Sequence, residues 1–403
     1  MVVPRASIDG DEVQCTDGTL LKTSLGDPNF VICAAGASGF TAYSRDMAVG
    51  VEYMDRSIKT MSAPEVTDQS ASCNRADDDY TSVTSTGLAL LTGNTIPAGS
   101  SRNLKEATHI VIDEETCSCK STPRPCIFFH GLGNPNEEAE LQDSPKKTKR
   151  KMGEIKGHAP CCSTIKYAVL NTVDYAWTNS TLQQKFCDHA LSISDTSDLT
   201  SMTIEDTVIV THSMGGLVMA GALANEKCKF GENTFWASLS APMTGTMTVD
   251  YLQDFCNGEK GKFMVEVLDL IGECPVSTSR KSISYQNEKY SSPELNAAYI
   301  AAQEAYRGNV TAALCSNHYA GVVSLYQVPA IVAGKIIPHK SREGDGYVEF
   351  QSCAGGLPAS MFGNSYKDKF YATELNHADT AFLTHDGLFK DSQKPAKWFE
   401  CLL

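Results

Sequence analysis

The chain has 403 residues, more than the roughly 250–300 at which a single hydrophobic core stops growing, so we expect one large domain with additions or two domains. Its composition, 42% hydrophobic and 20% charged, is that of an ordinary globular protein. The net charge of −14 argues against nucleic acid as a default partner, because phosphate contacts need positive faces, and no apolar run approaches the ~18–20 residues of a membrane span.

The first part of the chain, residues 1–105, is rich in Ser, Thr and Asp and has short apolar pieces without a helical period. This pattern predicts a small N-terminal extension of strands and loops, held by disulfides of Cys15, Cys33 and Cys73. The opening MVVPRASIDG lacks the apolar core of a signal peptide, so we expect a leader to be removed or missing.

From residue 106 onward, apolar strands alternate with helical segments. The predicted strands and helix are CIFFHGLG (126–133, ending in a turn), IKYAVLNTV (165–173), TLQQKFCDHALSI (181–193, the helix), VIV (208–210) and TFWASLSAP (234–242). Strands separated by helices imply parallel crossovers. We therefore predict an α/β domain over 106–403, with a mostly parallel central sheet flanked by helices.

A sharp corner follows the apolar strand Val208–Val210. The chain continues as Thr-His-Ser-Met-Gly-Gly and enters a small-residue helical segment at once, with almost no loop. Such a corner strains the backbone of Ser213 and exposes its hydroxyl, while Gly215 and Gly216 avoid Cβ collisions as the helix packs back. This is the pattern of a nucleophile elbow, with Thr211 where the motif has glycine.

Two insertions interrupt the α/β order. The first, EEAELQDSPKKTKRK (137–151), ends in a basic run, which predicts a solvated loop in preference to a phosphate or membrane patch. The second, about 247–328, contains KFMVEVLDLIGEC and SPELNAAYIAAQEAYR, which we expect to form helices of a cap over the sheet. The basic residues of the first insertion are Lys146, Lys147, Lys149, Arg150 and Lys151. An apolar stripe in the second is formed by Phe263, Met264, Val267, Leu268 and Ile271, for which core burial is the default and a substrate-facing lid the alternative.

A serine nucleophile needs a base, an acid that orients the base, and donors for the oxyanion. The acid candidate is Asp345, which we place where a strand ends in a turn, in SREGDGYVEF. For the base we favour His377, on a loop just past a predicted strand, over His385. The backbone N–H groups of Leu132 and Met214 are the predicted oxyanion donors.

The segments FFHGLG, VTHSMGG, SLSAPMTGT, GDGYV and NHADT together resemble the landmarks of lipase-like α/β-hydrolases, over about residues 106–400. GPI inositol-deacylases share a similar serine motif, but the other segments do not single them out. The resemblance implies the α/β-hydrolase fold and a serine esterase or lipase with the triad Ser213, Asp345 and His377. It implies oxyanion donors at Leu132 and Met214, an ester substrate that is a small molecule or a lipid, and no metal or organic cofactor.

The chain has 15 cysteines, which are dispersed and lack the spacings of common zinc sites. This predicts disulfides and an oxidising compartment, with one thiol left over by the odd count. Two sequons, at Asn179 and Asn309, suit a glycoprotein on the secretory route. We therefore expect a secreted or lumenal protein, and both peripheral lipid contact and the oligomeric state stay open.

A rival interpretation is a secreted binding or interaction protein that uses the same scaffold without turnover.

Overall fold

The computed structural model describes residues 117–258, 274–324, 326–387 and 390–403, and the backbone of seven strands between residues 5 and 61. The chain divides into two compact units, residues 1–112 and 113–403.

The strands of the first unit are antiparallel. They are β1 (Arg5–Ile8), β2 (Asp11–Gln14), β3 (Thr19–Ser24), β4 (Asn29–Ala34), β5 (Gly39–Ser44), β6 (Val49–Met54) and β7 (Ser57–Met61). Strands β1 and β2 form a hairpin, and β3 to β7 form a five-stranded sheet in chain order. The predicted disulfides of Cys15, Cys33 and Cys73 lie outside the described side chains.

The second unit contains a six-stranded parallel sheet. The strands described in this unit are β8 (Arg124–Phe129), β9 (Cys162–Ala168), β10 (Thr203–Ile204), β11 (Val208–His212), β12 (Lys229–Phe230), β13 (Phe235–Leu239), β14 (Ala312–Ser316) and β15 (Phe370–Thr373). The order in the sheet is β9-β8-β11-β13-β14-β15, and every neighbouring pair is parallel. Strands β10 and β12 form a separate two-stranded parallel sheet. The predicted α/β architecture with a parallel central sheet is confirmed.

Helices connect and flank these strands. They are α1 (Ser180–Ser192), α2 (Met214–Ala224), α3 (Met247–Cys256), α4 (Thr278–Lys281), α5 (Pro293–Asn309), α6 (Gln327–Ile336), α7 (Phe350–Ala354) and α8 (Pro395–Cys401). No helix among the described residues combines the length and the apolar character needed to cross a bilayer.

The central strands are buried on both faces, which is why they read as continuous apolar runs in the sequence. In β8, Ile127 and Phe129 belong to a core shared with α1, α2 and α5, whereas Phe128 points to the opposite face, toward α8. Phe129 stacks on Phe186 of α1 at 4.3 Å between ring centroids, and Phe128 meets Phe399 of α8 edge-on at 5.6 Å. Two cores therefore hold the sheet between layers of helix.

The structure corrects the predicted extent of the cap. The segment SPELNAAYIAAQEAYR forms a helix as predicted, α5, and Ser292 caps it, with Pro293 in its first turn. However, Tyr299 and Tyr306 of α5 are fully buried, and the Tyr306 ring contacts Trp236 of β13 at 5.5 Å. Helix α5 is thus a crossover helix between two parallel strands, because β14 follows it directly, and not part of a cap over about 247–328.

The other predicted cap helix, KFMVEVLDLIGEC, with its apolar stripe, falls almost wholly on residues 259–273, outside the described residues. The two ends of this stretch are joined by the Cys256–Cys274 disulfide, with Cα atoms 5.6 Å apart.

All 12 described cysteines are paired, which confirms the prediction of disulfides. The pairs are Cys117–Cys401, Cys119–Cys161, Cys126–Cys162, Cys187–Cys228, Cys256–Cys274 and Cys315–Cys353. Six disulfides fit a protein of an oxidising compartment.

The two sequon asparagines both use their side chains within the protein. Asn179 accepts a hydrogen bond from the Leu182 N–H as the N-cap of α1, and Asn309 donates one to the Ala305 carbonyl. Glycosylation stays a prediction.

Candidate active site

Ser213 lies at the corner between β11 and α2, in a strained conformation. Strand β11 ends at His212, helix α2 begins at Met214, and Ser213 has φ 55° and ψ −131°. A positive φ is uncommon outside glycine and costs on the order of 1–3 kcal/mol where the surrounding structure enforces it. The abrupt strand-to-helix turn predicted from the sequence therefore exists.

The two glycines behind Ser213 allow close packing on neighbouring strands. A Cβ on Gly215 would lie 2.7 Å from the His130 carbonyl oxygen, and one on Gly216 would lie 2.5 Å from the Ala241 Cβ. Any residue larger than glycine at position 215 would therefore force a shift of the backbone. Helix α2 thus needs these glycines because of the segments that follow β8 and β13.

Thr211, where the elbow motif has glycine, is accommodated by a buried hydrogen bond. Its Oγ1 accepts from the Trp236 indole N–H at 2.9 Å, and both side chains are fully buried. The hydroxyl therefore satisfies a donor that would otherwise be orphaned in the core.

Ser213, His377 and Asp345 form a continuous chain of hydrogen bonds. His377 Nε2 lies 3.0 Å from Ser213 Oγ, and His377 Nδ1 lies 2.6 Å from Asp345 Oδ2. Asp345 is buried, whereas the His377 side chain is 20% exposed. The structure thus brings together the three residues predicted from the sequence, with the imidazole between hydroxyl and carboxylate.

The surroundings of Asp345 keep it ionised. Burial by itself would raise its pKa, but the adjacent His377 and the N–H groups of Val348 and Tyr347 together lower it below the usual value. These two N–H groups donate to Asp345 Oδ1 at 2.7 and 2.9 Å, which leaves Oδ2 for the imidazole. The carboxylate is therefore both fixed and charged.

The prediction that Asp345 lies where a strand ends was wrong. The preceding apolar segment forms helix α6, and Asp345 lies in the loop that leads from α6 to α7. A Cβ-branched apolar run fits a buried helix as well as a strand, and here packing against α3 decides in favour of the helix.

The competing base His385 and the two other acidic residues close to His377 in sequence, Asp379 and Asp386, have other roles. His385 is exposed, and its ring contacts the Asp386 carbonyl. Asp379 accepts from the N–H groups of Val322 and Asn376, and Asp386 accepts from two N–H groups in the first turn of α8. These carboxylates brace loops and do not contact His377.

The loop after β8 is fixed by His130. Its Nδ1–H donates to the Gly131 carbonyl at 2.8 Å, and its Nε2 accepts from the Leu170 N–H at 3.2 Å. Burial lowers the pKa of His130 to about 4, so the ring is neutral, as this bonding pattern requires. Thr172 adds a hydroxyl bond to the Gly131 carbonyl at 2.8 Å.

One predicted oxyanion donor, Met214, lies at the start of α2, and the other, Leu132, lies in the loop after β8. Met214 is the first residue of α2, so its N–H has no intrahelical partner. Leu132 lines the cavity beside Ser213. Within the part of the chain that the structure describes, neither backbone N–H donates to a protein acceptor. Both N–H groups thus lack a protein partner among the described residues, as the prediction of oxyanion donors requires.

His212 was not anticipated from the sequence. Its ring lies 4.6 Å from the His377 ring, and its Nε2 contacts the His377 carbonyl at 3.1 Å and Thr380 Oγ1 at 3.3 Å. Burial, followed by the neighbouring His377, holds its pKa well below the usual value. A neutral His212 therefore supports the backbone of the histidine loop. The available signal was a polar residue at the end of an otherwise apolar strand.

A cavity of about 250 Å³ opens at Ser213 and His377. Its apolar wall includes Val249, Ile283 and Pro329. The cavity is also lined by three cationic side chains that the sequence did not assign to the site, which are Arg150, Lys151 and Arg280. Within the described ranges, no group of three or more His, Cys, Asp or Glu side chains is arranged to hold a metal ion.

The comparisons with known proteins assign no family. No family model matches the chain, and no curated protein matches it.

Proposed function

We propose that the protein is a secreted serine hydrolase of the α/β-hydrolase class that cleaves carboxylic esters. The observation that carries this proposal is the hydrogen-bonded series Ser213–His377–Asp345, with spacings of 3.0 and 2.6 Å, at a strained corner that opens into a cavity. Ser, Asp and His occur in this order along the chain, which is the order of that class.

In the acylation step, His377 Nε2 takes the proton of Ser213 as Oγ attacks the ester carbonyl carbon. The carbonyl electron pair moves to its oxygen, which the N–H groups of Leu132 and Met214 bind. Each such donor contributes roughly 3–4 kcal/mol of transition-state stabilisation. Asp345 stabilises the imidazolium and holds its orientation. Collapse of the intermediate breaks the ester C–O bond, and His377 returns its proton to the leaving alcohol.

In the deacylation step, water takes the place of the alcohol. His377 removes a proton from the water as its oxygen attacks the acyl carbon. The second tetrahedral intermediate then releases the acid and restores the Ser213 hydroxyl. These two reaction steps require no metal or organic cofactor.

Two further features support parts of the proposal. The apolar residues Val249, Ile283 and Pro329 in the cavity wall suit an acyl chain, hence an ester substrate that is a lipid or a small molecule. Six disulfides suit secretion, because such bonds persist in oxidising compartments.

The experiment that tests the proposal is labelling of the purified, oxidised protein with a fluorophosphonate, followed by mass mapping of the adduct. We expect a single adduct on Ser213 that prior heat unfolding prevents. Ser213→Ala should lose the adduct and lower ester hydrolysis by roughly 10⁴–10⁶-fold, because the nucleophile is removed.

A matched control is Ser240→Ala, since Ser240 is also a buried serine just beyond a strand end of the same sheet but is not hydrogen-bonded to a histidine. This variant should keep both labelling and rate. Folded protein without an adduct, or an unchanged rate in Ser213→Ala, would exclude the hydrolase and favour a binding protein on the same scaffold.

A further inference from the structure

We propose that the site accepts an ester that carries an anionic group, and that the Lys151 ammonium binds this anion beside Ser213. The inference rests on the proposed hydrolase function and specifies its substrate class.

The charge of the cavity wall is opposite to that of the protein. The chain carries a net charge of −14, yet Arg150, Lys151 and Arg280 all line the cavity at Ser213. Among the described residues that line it, none is Asp or Glu. Among the described side chains that line this cavity, an anion therefore meets only cationic and neutral groups.

The backbone around Lys151 holds it against the site. Lys149 and Arg150 have φ values of 53° and 60°, which turn the chain sharply before Lys151. The Lys151 N–H donates to the Thr148 carbonyl at 3.1 Å, and Gly153 N–H donates to the Ala381 carbonyl at 2.8 Å. The prediction of a solvated loop therefore holds for the exposed residues of the basic run, but the last residue of the run, Lys151, is held against the protein.

The Lys151 ammonium lies against the loop that follows β8 and contains Gly131, Leu132 and Gly133. A Cβ on Gly133 would be 3.2 Å from Lys151 Nζ, and Gly131, two residues earlier, faces Ser213 Oγ, with a corresponding distance of 3.1 Å. Ser213 and Lys151 therefore contact the same short loop, and a single small substrate can reach both.

Lys151 has no ion pair among the described residues, unlike Lys147 of the same basic run and Lys166 of β9. Lys147 pairs with Glu138 at 2.9 Å, and Lys166 pairs with Asp143 at 2.6 Å. Burial and then the nearby Arg280 lower the pKa of Lys151, and no carboxylate offsets these effects. A bound anion would relieve both the lost hydration and the like-charge repulsion.

The chemistry of the anion is broad. An ammonium is a compact charge with three rotatable donors and does not demand the bidentate geometry of a guanidinium. A carboxylate, a sulfonate or a phosphate monoester would each fit. The group can lie on the acyl part of the ester, as in a dicarboxylic half-ester, or on the alcohol part, as in a lipid headgroup.

The test compares esters that differ only in charge. On the acyl side, mono-4-nitrophenyl adipate is compared with 4-nitrophenyl hexanoate, which has the same chain length. On the alcohol side, 4-sulfophenyl hexanoate is compared with the neutral 4-sulfamoylphenyl hexanoate. For the wild type we expect kcat/KM to favour the anionic member of at least one pair by roughly tenfold or more.

Lys151→Met, which keeps the aliphatic stem, should reduce this anionic-to-neutral ratio to about one, and Lys151→Arg should retain most of it. Lys146→Met is the matched control, because Lys146 is exposed in the same basic run and does not line the cavity. Its ratio should equal that of the wild type. Preference for the neutral member of both pairs, or an unchanged ratio in folded Lys151→Met, would overturn the inference.

A binding measurement separates this inference from the proposed function. Calorimetric titration of Ser213→Ala, which needs no turnover, should show hexanesulfonate binding more tightly than 1-hexanol, and Ser213→Ala/Lys151→Met should lose the difference. Equal binding of both ligands by Ser213→Ala would contradict the anion site, even if the wild type hydrolyses neutral esters. Absence of a fluorophosphonate adduct with tight hexanesulfonate binding would contradict only the hydrolase.

Discussion

The corner at Ser213 and the loop that carries Asp345 are built in opposite ways. Ser213 is held by its own neighbours in sequence, since β11 ends one residue before it and α2 begins one residue after it. Asp345 belongs to no strand or helix and is oriented by the N–H groups of Tyr347 and Val348 and by His377, 32 residues away.

The conformation of Ser213 is thus set by residues adjacent in sequence, whereas the orientation of Asp345 depends on segments that are distant in sequence. The elbow needs a strand, a helix and two small residues, and all of these are consecutive in the chain, in β11, Ser213 and α2. The acid needs the helices α6 and α7 on either side of its loop and a histidine after β15. We therefore expect changes at the acid to affect the chemistry most, and changes around the elbow to affect stability.

After removal of the nucleophile itself, the largest effect should come from Asp345→Asn. Asn can keep accepting from the N–H groups of Tyr347 and Val348 only by turning its NH₂ toward His377. His377 would then carry its proton on Nε2 and could not take one from Ser213. We expect kcat to fall by roughly 10⁴-fold with an unchanged circular dichroism spectrum. Asp386→Asn is the control and should keep its rate; full activity of Asp345→Asn would point to another acid.

The second effect concerns His130, whose carbonyl faces Gly215 of the elbow. Its pKa is about 4 in the folded protein, against an ordinary value of 6.5. Between these values only the unfolded chain binds the proton, so the unfolding free energy must fall as the pH falls from 6.5 toward 4. The full shift corresponds to about 3 kcal/mol.

Urea unfolding of the wild type and of His130→Gln at pH 7 and pH 4.5 measures this contribution. Gln cannot titrate, so the variant should lose about 2–3 kcal/mol less stability than the wild type over this interval. Identical losses in the two proteins would mean that His130 does not stabilise the loop through its neutral form.

The smallest effect should come from Thr211→Val, at the one departure from the elbow motif. Valine keeps the shape but leaves the Trp236 indole N–H without its acceptor in the core. We expect a loss of about 1–3 kcal/mol in unfolding free energy. Thr211→Ser keeps the hydroxyl and should lose less. A large fall in the rate of fluorophosphonate labelling of folded Thr211→Val would instead link this position to the geometry of Ser213.

The sequence predicted best what is determined by neighbours along the chain. The β8, β11 and β13 strands are buried on both faces and therefore appear as continuous apolar runs, and the Ser292–Pro293 cap marks the start of α5. The position of Ser213 followed from β11, and that of His377 from the strand predicted before it, which is β15.

What the sequence did not predict depends on contacts between distant segments. Helix α5 has an amphipathic pattern that suits a cap as well as a crossover helix, and only its burial against Trp236 separates the two. The basic run gave no sign that Lys151 differs from Lys146, because the difference arises from backbone turns at Lys149 and Arg150. Likewise, nothing in the pattern around Asp345 distinguishes an ordinary Asp-Gly turn from an acid aimed at a histidine.

The Cys315–Cys353 disulfide limits how far the loop of the acid can move from the central sheet. It joins β14 to α7 across 38 residues of sequence, and the loop of Asp345 lies within this closed stretch, shortly before Cys353. The bond therefore fixes α7, just after the loop of Asp345, to the strand next to β15, after which His377 follows in the chain. The acid of the candidate triad is thus covalently tied to the central sheet at the end of its own loop, whereas the corner of Ser213 is fixed by β11 and α2 directly.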